Sequence, residues 1–167
     1  MNNPDKLSIV KTYNQILENL YSIKNSVEDS SRENLSMKLE YAKTKLHKFE
    51  DITKEEVDLI TEYIHKDITA ATNYINKTGN NIKQWLKNDI ELTEDRLLHV
   101  FVNVVDQSRV ELQQMENLLH EWHSGEVTSM GTLECKNCGE KITFDETQII
   151  QNCIKCDGTV FQKDFTF

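Results

Sequence analysis

The residues with the clearest chemistry in this chain are four cysteines arranged as two Cys-x-x-Cys pairs. They are Cys135, Cys138, Cys153 and Cys156. Gly139 follows the first pair and Asp157-Gly158 follows the second, so each pair is expected to lie on a tight turn. Two such turns bring four thiolates to one point. They predict a closed tetrahedral site for one structural Zn²⁺, held between two hairpin tips.

Two other interpretations of the four cysteines stay open. Tetrahedral sulfur also accepts iron, as in a rubredoxin-type electron carrier. Thiol–disulfide exchange is the third interpretation, although a redox Cys-x-x-Cys pair normally opens a helix in a thioredoxin-like βαβ unit, which this pattern does not resemble. Because an all-cysteine ligand set leaves no open coordination position, the spacing favours structural zinc over catalytic zinc.

Two histidines just before the cysteines offer a second metal site as an alternative. His120 and His123 lie three residues apart, next to Glu121 and Glu126. We favour a simpler interpretation, in which histidines in the last turn of a helix interact with its negative end. Trp122 is expected to pack between the helical part of the chain and the cysteine-containing part.

Composition and charge limit the classes of function. The 167 residues include 19 basic and 28 acidic side chains, a net charge of −9, which makes direct nucleic-acid binding unfavourable. No apolar stretch approaches the ~20 residues of a membrane span, and the first residues do not resemble a signal peptide. We therefore expect a cytoplasmic protein without membrane contact, which suits reduced cysteines. No phosphate-binding glycine loop, HExxH pattern or Ser-His-Asp order occurs, so we expect no enzymatic activity.

The chain changes composition near residue 124. Residues 1–124 contain one proline and one glycine, whereas residues 125–167 contain four glycines and all the cysteines. The predicted fold is mainly α, an antiparallel helical bundle or coiled-coil region over 1–124 followed by a small all-β zinc ribbon with four cysteine ligands over 125–167. Since about 40 residues bury too little surface to fold alone, the ribbon is expected to need its metal. We expect chelation at low pH to unfold it while the helical signal persists.

Apolar residues at helical spacing run through the first part of the chain. One stripe covers residues 9–27 and a second covers residues 35–49, with a break favoured near residues 28–32. Thr53 and Glu56 form a capping box that predicts the start of a third helix.

A fourth stripe keeps one phase over residues 82–122, and we favour a continuous helix ended by Gly125. Its length exceeds that of its expected partners, so a homodimer through the helical region is our preference. The second part changes to short apolar runs between glycines, which predict strands over residues 126–134, 141–145 and 159–165.

One set of residues resembles a known family. The run His123-Ser124-Gly125-Glu126-Val127, followed by Gly131, Leu133, the two cysteine pairs and Phe161-Gln162, is similar to an uncharacterised bacterial family of small zinc-ribbon-containing proteins with a helical N-terminal region. The resemblance covers most of the chain and is most specific over residues 122–162. It implies that the four cysteines bind metal, and it implies no activity. The proline often found after the first cysteine of the second pair is replaced here by Ile154, which affects only the rigidity of that turn.

These features lead to one preferred function and two alternatives. We expect a non-enzymatic zinc-binding protein whose helical part self-associates or binds a protein partner, while the ribbon presents a rigid recognition surface. A transcription- or nucleic-acid-associated accessory factor is the first alternative, because zinc ribbons are common in that class. An iron-containing electron carrier is the second.

Overall fold

The structure is a computed structural model that describes residues 6–25, 35–46, 52–78, 99–106 and 121–164. Its helices are α1 (Lys6–Asn25), α2 (Leu35–Thr44) and α3 (Lys54–Thr78), and residues 99–106 are also helical. The strands are β1 (Trp122–His123), β2 (Val127–Thr128), β3 (Gly131–Cys135), β4 (Lys141–Phe144), β5 (Gln148–Ile149) and β6 (Val160–Asp164). All the described strands lie in residues 121–164, called the ribbon from here on. A helical first part followed by small antiparallel sheets is therefore confirmed.

Helix α3 begins where the capping box predicts. The Thr53 backbone N–H donates to Glu56 Oε2 at 2.8 Å, and the Glu56 backbone N–H donates to Thr53 Oγ1 at 3.2 Å. The two side chains thus satisfy two amide groups that have no partner within the first turn of the helix.

The apolar stripes of the helices meet in one core. Its buried members include Tyr13, Ile16, Leu17, Leu20, Leu35, Leu39, Ala42, Ile60, Ile64, Ile68, Ala71, Ile75, Phe101 and Val104. Each large side chain buried in this way contributes about 1.5–3 kcal/mol. The break near residues 28–32, and the parts of the fourth stripe at 82–98 and 107–120, lie outside the described residues. The antiparallel order, the coiled coil and the homodimer stay predictions.

The fourth predicted helix does not extend to Trp122, and this expectation was wrong. Trp122 and His123 form strand β1, where Trp122 lies opposite Phe161 of β6. The spacing of Trp122 fits the helical stripe by coincidence, because strand pairing with a distant segment overrides the local pattern. Gly125 accordingly does not end a helix. It has a φ of +92° in the turn after β1, and its N–H donates to the Ile150 carbonyl at 2.8 Å.

The strands form two antiparallel sheets. Four strands lie in the order β1-β6-β3-β4, and β2 pairs with β5. The strand predicted over 126–134 is two strands, β2 and β3, which belong to different sheets. Strands β4 and β6 agree with the predictions within one or two residues, and residue 165 lies outside the described part. Strands β1 and β5 have two residues each, too short for a periodic pattern to show.

Helices and ribbon share apolar contacts. Val127 and Met130 of the ribbon lie in the core formed by the helices. Ala70 of α3 lies in the second core, together with Trp122 and Phe161. Each part thus contributes side chains to the core of the other, across the change in composition near residue 124. Among the described helices, none combines the length and the apolar character that a membrane crossing requires.

Candidate metal centre

The two cysteine pairs lie on turns with the same hydrogen bonds. In the first knuckle, residues 135–140, the Cys135 N–H donates to the Glu140 carbonyl and the Gly139 N–H donates to the Cys135 carbonyl, both at 2.8 Å. The second knuckle, residues 153–158, repeats both bonds at 2.8 Å, from Cys153 to Gly158 and from Asp157 to Cys153. The local sequence therefore builds two matching turns.

Each knuckle contains one residue with left-handed backbone geometry. Gly139 has a φ of +74° and Asp157 a φ of +58°. Glycine adopts this conformation without steric strain, and Asp is among the few other residues that tolerate it. This requirement explains why turn-forming residues follow both cysteine pairs.

The knuckles bring the four thiols together. All four Sγ atoms lie within 4.8 Å of one another, and the cysteines are not joined by disulfides. Cys135 Sγ lies 3.6 Å from Cys156 Sγ, and Cys138 Sγ lies 3.6 Å from Cys153 Sγ. A tetrahedron with Zn–S bonds of about 2.3 Å has S–S edges of about 3.8 Å, whereas a disulfide needs about 2.05 Å. The four cysteines thus fit a tetrahedral metal ion.

Polar groups lower the pKa of one thiol in the cluster, whereas burial and the neighbouring thiols raise the pKa of another. Donors from the Asn137 side chain and the Gly158 backbone lower the pKa of Cys156 to about 6. The Glu140 backbone N–H lowers the pKa of Cys138, but burial and hydrogen bonds with the other three thiols outweigh it and raise the pKa to about 12. Ionisation of one of these two thiols therefore opposes ionisation of the other. A divalent cation is the chemical group that removes this opposition.

Gly158 leaves room beside the sulfurs. A Cβ atom at this position would lie 3.1 Å from Cys156 Sγ and 3.2 Å from Cys135 Sγ. Real Cβ contacts are rarely this short, so the backbone of the second knuckle can approach the cluster closely only because residue 158 has no side chain.

The histidines do not form a second cluster of ligands among the described residues. His123 lies in β1, with Nδ1 3.3 Å from Glu126 Oε1 and Nε2 4.0 Å from Glu121 Oε2. His120 lies outside the described part of the chain. Across the described ranges, the cysteine quartet is the group of His, Cys, Asp and Glu side chains close enough to share an ion.

A buried carboxylate that was not predicted from the sequence lies between the helices and the ribbon. Asp67 of α3 is 1% exposed. It accepts hydrogen bonds from the Tyr13 hydroxyl at 2.6 Å, Trp122 Nε1 at 3.0 Å, Thr128 Oγ1 at 3.1 Å and the Ser129 N–H at 2.8 Å. Lys163 Nζ lies 3.7 Å from its Oδ1. Asp67 is therefore not part of the solvated polar face of α3.

The spacing of Asp67 in the sequence indicates that its side chain is buried. Asp67 follows Ile60 by seven residues and Ile64 by three, and it precedes Ala71 by four. These intervals place it on the buried stripe of α3 rather than on the polar face. An acidic residue on an apolar stripe predicts a buried charge with partners, because an unpaired one is strongly unfavourable.

The matching knuckles, the thiol cluster and the small antiparallel sheets together define a zinc ribbon. The chain belongs to the family described as zinc-ribbon containing domain, whose match covers residues 23–164, and the resemblance found in the sequence is confirmed.

The chain is similar to the uncharacterized protein YbeL of Escherichia coli strain K12, with 24% identity over 134 residues. The matched region covers 75% of this chain and 79% of that relative. The proteins of the same name from Escherichia coli O6:H1 and O157:H7 match to the same extent. No solved structure matches this chain.

Proposed function

We propose that the four cysteines hold one structural Zn²⁺ and that the protein acts without enzymatic activity, as a protein-interaction module. The observation that carries this proposal is the closed cluster of four thiols, with two S–S separations of 3.6 Å. A set of four cysteine ligands leaves no coordination position for a substrate or water, so a bound zinc ion has a structural role.

The second knuckle offers a surface for a partner. Ile154 lies between two cysteines at the turn and is 87% exposed. A turn whose cysteines bind a metal ion has a rigid backbone and presents such an apolar side chain in a fixed position. Little conformational entropy is then lost when a partner covers the side chain. Ile154 therefore supports a recognition role for the knuckle.

The charges of the ribbon support a protein partner over a nucleic acid. Each of four lysines lies within salt-bridge distance of a carboxylate: Lys136 of Glu121, Lys141 of Asp164, Lys155 of Glu140 and Lys163 of Asp67. Phosphate binding would require these pairs to separate, in a chain with a net charge of −9. The nucleic-acid-associated role is the alternative that a gel-shift titration across salt concentrations tests. A steep loss of binding with salt would favour it over our proposal.

Metal analysis tests the zinc site directly. We expect colourless protein with one zinc per chain, and loss of that zinc in Cys135→Ser and Cys153→Ser variants. Red protein with visible charge-transfer bands would replace zinc by iron, since the same sulfur geometry accepts both metals.

The interaction role is tested by affinity purification from the native host. A partner should be retained by the wild-type chain and lost with Ile154→Ser, which leaves the zinc ligands intact. Thr159→Ser, an exposed substitution in the same turn region, is the matched control and should retain the partner. Reproducible turnover of a substrate by the pure protein would contradict the non-enzymatic assignment.

A further inference from the structure

The buried carboxylate of Asp67 depends mainly on the ribbon for its partners. Tyr13 of α1 supplies one donor from the helical part. The ribbon supplies three more, from Trp122, Thr128 and the Ser129 backbone. Without the ribbon, Asp67 would keep one of these four donors in a core made of apolar helix residues.

Lys163, which also lies in the ribbon, places a positive charge next to the Asp67 carboxylate. Its side chain is 6% exposed, and Nζ lies 3.7 Å from Asp67 Oδ1 and 3.1 Å from Thr128 Oγ1. Nζ also lies 5.5 Å from the centre of the Trp122 ring. Burial lowers the pKa of Lys163, and the nearby charge of Asp67 opposes this effect. Each charge is tolerated in this site because the other is present.

The residues that hold these donors are tied to the cysteines. Trp122 lies opposite Phe161, and Phe161 lies opposite Cys135 in the sheet. Phe161 is fully buried in the core that contains Cys135 and Cys153. Lys163 follows Phe161 by two positions and so lies on the same face of β6. The knuckles therefore fix the strands that deliver Trp122 and Lys163 to Asp67.

We propose that Asp67 makes the stability of the helical core conditional on the metal state of the ribbon. Loss of the metal frees β6 and β1, withdraws the ribbon donors and the Lys163 charge, and leaves Asp67 with the Tyr13 hydroxyl as its remaining donor among these, beside apolar residues of the helical core. Removing one partner from a buried ion pair is strongly destabilising, so α1 and α3 would loosen together with the ribbon. The inference rests on the proposed zinc site. It replaces the expectation, drawn from the change in composition, that the helical circular dichroism signal persists when the ribbon unfolds.

The test compares the full-length protein with and without zinc. Zinc is removed with EDTA under reducing conditions, zinc content is measured by elemental analysis, and helix melting is followed by circular dichroism at 222 nm. We expect zinc removal to lower the melting midpoint of the wild-type helices by about 10 °C or more. Hydrogen exchange of the α3 amides near Asp67 should accelerate by about 100-fold in the same step.

Matched variants assign the coupling to Asp67. Asp67→Asn should show a smaller zinc-dependent shift of the midpoint, because the helices then carry no charge at this site whose partners lie in the ribbon. Asp58→Asn, on the same helix at a partly exposed position, should keep the full shift. If Asp67→Asn does not fold, Thr128→Val removes one ribbon donor with little change of shape. Thr132→Val is its control, because that hydroxyl bonds Thr143 within the ribbon.

The outcomes separate this proposal from the zinc assignment. A purified chain without zinc overturns the proposed function and this inference with it. A zinc-loaded chain whose helices melt at the same temperature after zinc removal overturns the inference alone. So does a full zinc-dependent shift in both Asp67→Asn and Thr128→Val.

Discussion

Gly139 and Asp157 occupy equivalent positions in the two knuckles. Each follows the first cysteine of its pair by four residues, each has a positive φ, and each donates its N–H to the carbonyl of that cysteine at 2.8 Å. The same backbone geometry is thus reached with a glycine in one turn and with an aspartate, which tolerates left-handed geometry, in the other. We therefore expect the effect of a substitution at these positions to depend on how well the new residue tolerates a positive φ.

Replacing Gly139 with alanine should lower the free energy of unfolding by about 1–2 kcal/mol, because a Cβ is unfavourable at positive φ. The new Cβ would meet nothing closer than Glu134 Oε1 at 3.7 Å, so the effect is confined to the backbone. Gly139→Asn should lower the free energy of unfolding by a smaller amount, since asparagine tolerates left-handed geometry. Urea denaturation of the zinc-loaded proteins measures both, and an alanine variant as stable as the wild type contradicts the prediction.

Replacing Gly158 with alanine should weaken zinc binding by about 10-fold or more, because the added Cβ crowds two of the sulfur atoms. Competition with a chromophoric chelator measures the affinity. Gly125→Ala is the control, since that position has a positive φ but nothing within 4 Å of the added Cβ. It should reduce stability without changing zinc affinity. Equal zinc affinities for Gly158→Ala and the wild type would rule out crowding at the cluster.

The hydrogen bond from Tyr13 to Asp67 should make the stability of the protein depend on pH in the alkaline range. Burial and the charge of Asp67 raise the pKa of Tyr13 well above 10.0. Above pH 10 the unfolded chain therefore loses this proton while the folded chain retains it, so stability falls as pH rises. Lys163 has a lowered pKa and gives the opposite slope below pH 10.5.

Comparison with Tyr13→Phe isolates this contribution, because both proteins contain Lys163. Below pH 10 the variant should be less stable by about 1.5–3 kcal/mol, the usual value for a hydrogen bond to a charged group. The difference should shrink by up to about 1.4 kcal/mol per pH unit above pH 10. Denaturant unfolding at several pH values measures it. A difference that does not change with pH would show that Tyr13 ionises equally in both states.

Two aspartates on α3 should differ sharply in importance. Asp67→Asn should lower stability by about 3–5 kcal/mol, because it leaves the buried Lys163 charge without its partner. Asp58→Asn should change stability only slightly, since its pair with Lys43 at 2.6 Å is partly exposed and screened by solvent. Chemical denaturation of both variants gives the comparison, and equal losses would contradict the difference in burial.

The parts of the fold that follow from local sequence were predictable. The spacing and turn residues of Cys135 and Cys153 determine their own turns, so the thiol cluster could be inferred before any tertiary structure was known. The capping box of Thr53 and Glu56 acts within one turn of helix, and it marked the start of α3 correctly. In both cases the groups that shape each turn lie close together in the chain.

The parts that depend on distant pairing were not predictable. Trp122 fits the helical stripe before it, and only its partner Phe161 in β6 makes it part of a strand. Lys163 is one of several lysines in the sequence, and its burial follows from the alternation of β6 once Phe161 is known to face inward. The position of Asp67 on the apolar stripe carried a signal, but Tyr13, the nearest in sequence of its hydrogen-bond donors, is 54 residues away.

The long separation between Asp67 and its partners has a consequence for biosynthesis. Trp122 and Ser129 follow Asp67 in the chain by 55 and 62 positions. Helix α3 therefore leaves the ribosome well before the groups that donate hydrogen bonds to its buried carboxylate. We therefore expect the helices to reach their final packing only after the strands of the ribbon have been synthesised, and contacts of such high sequence separation also form slowly.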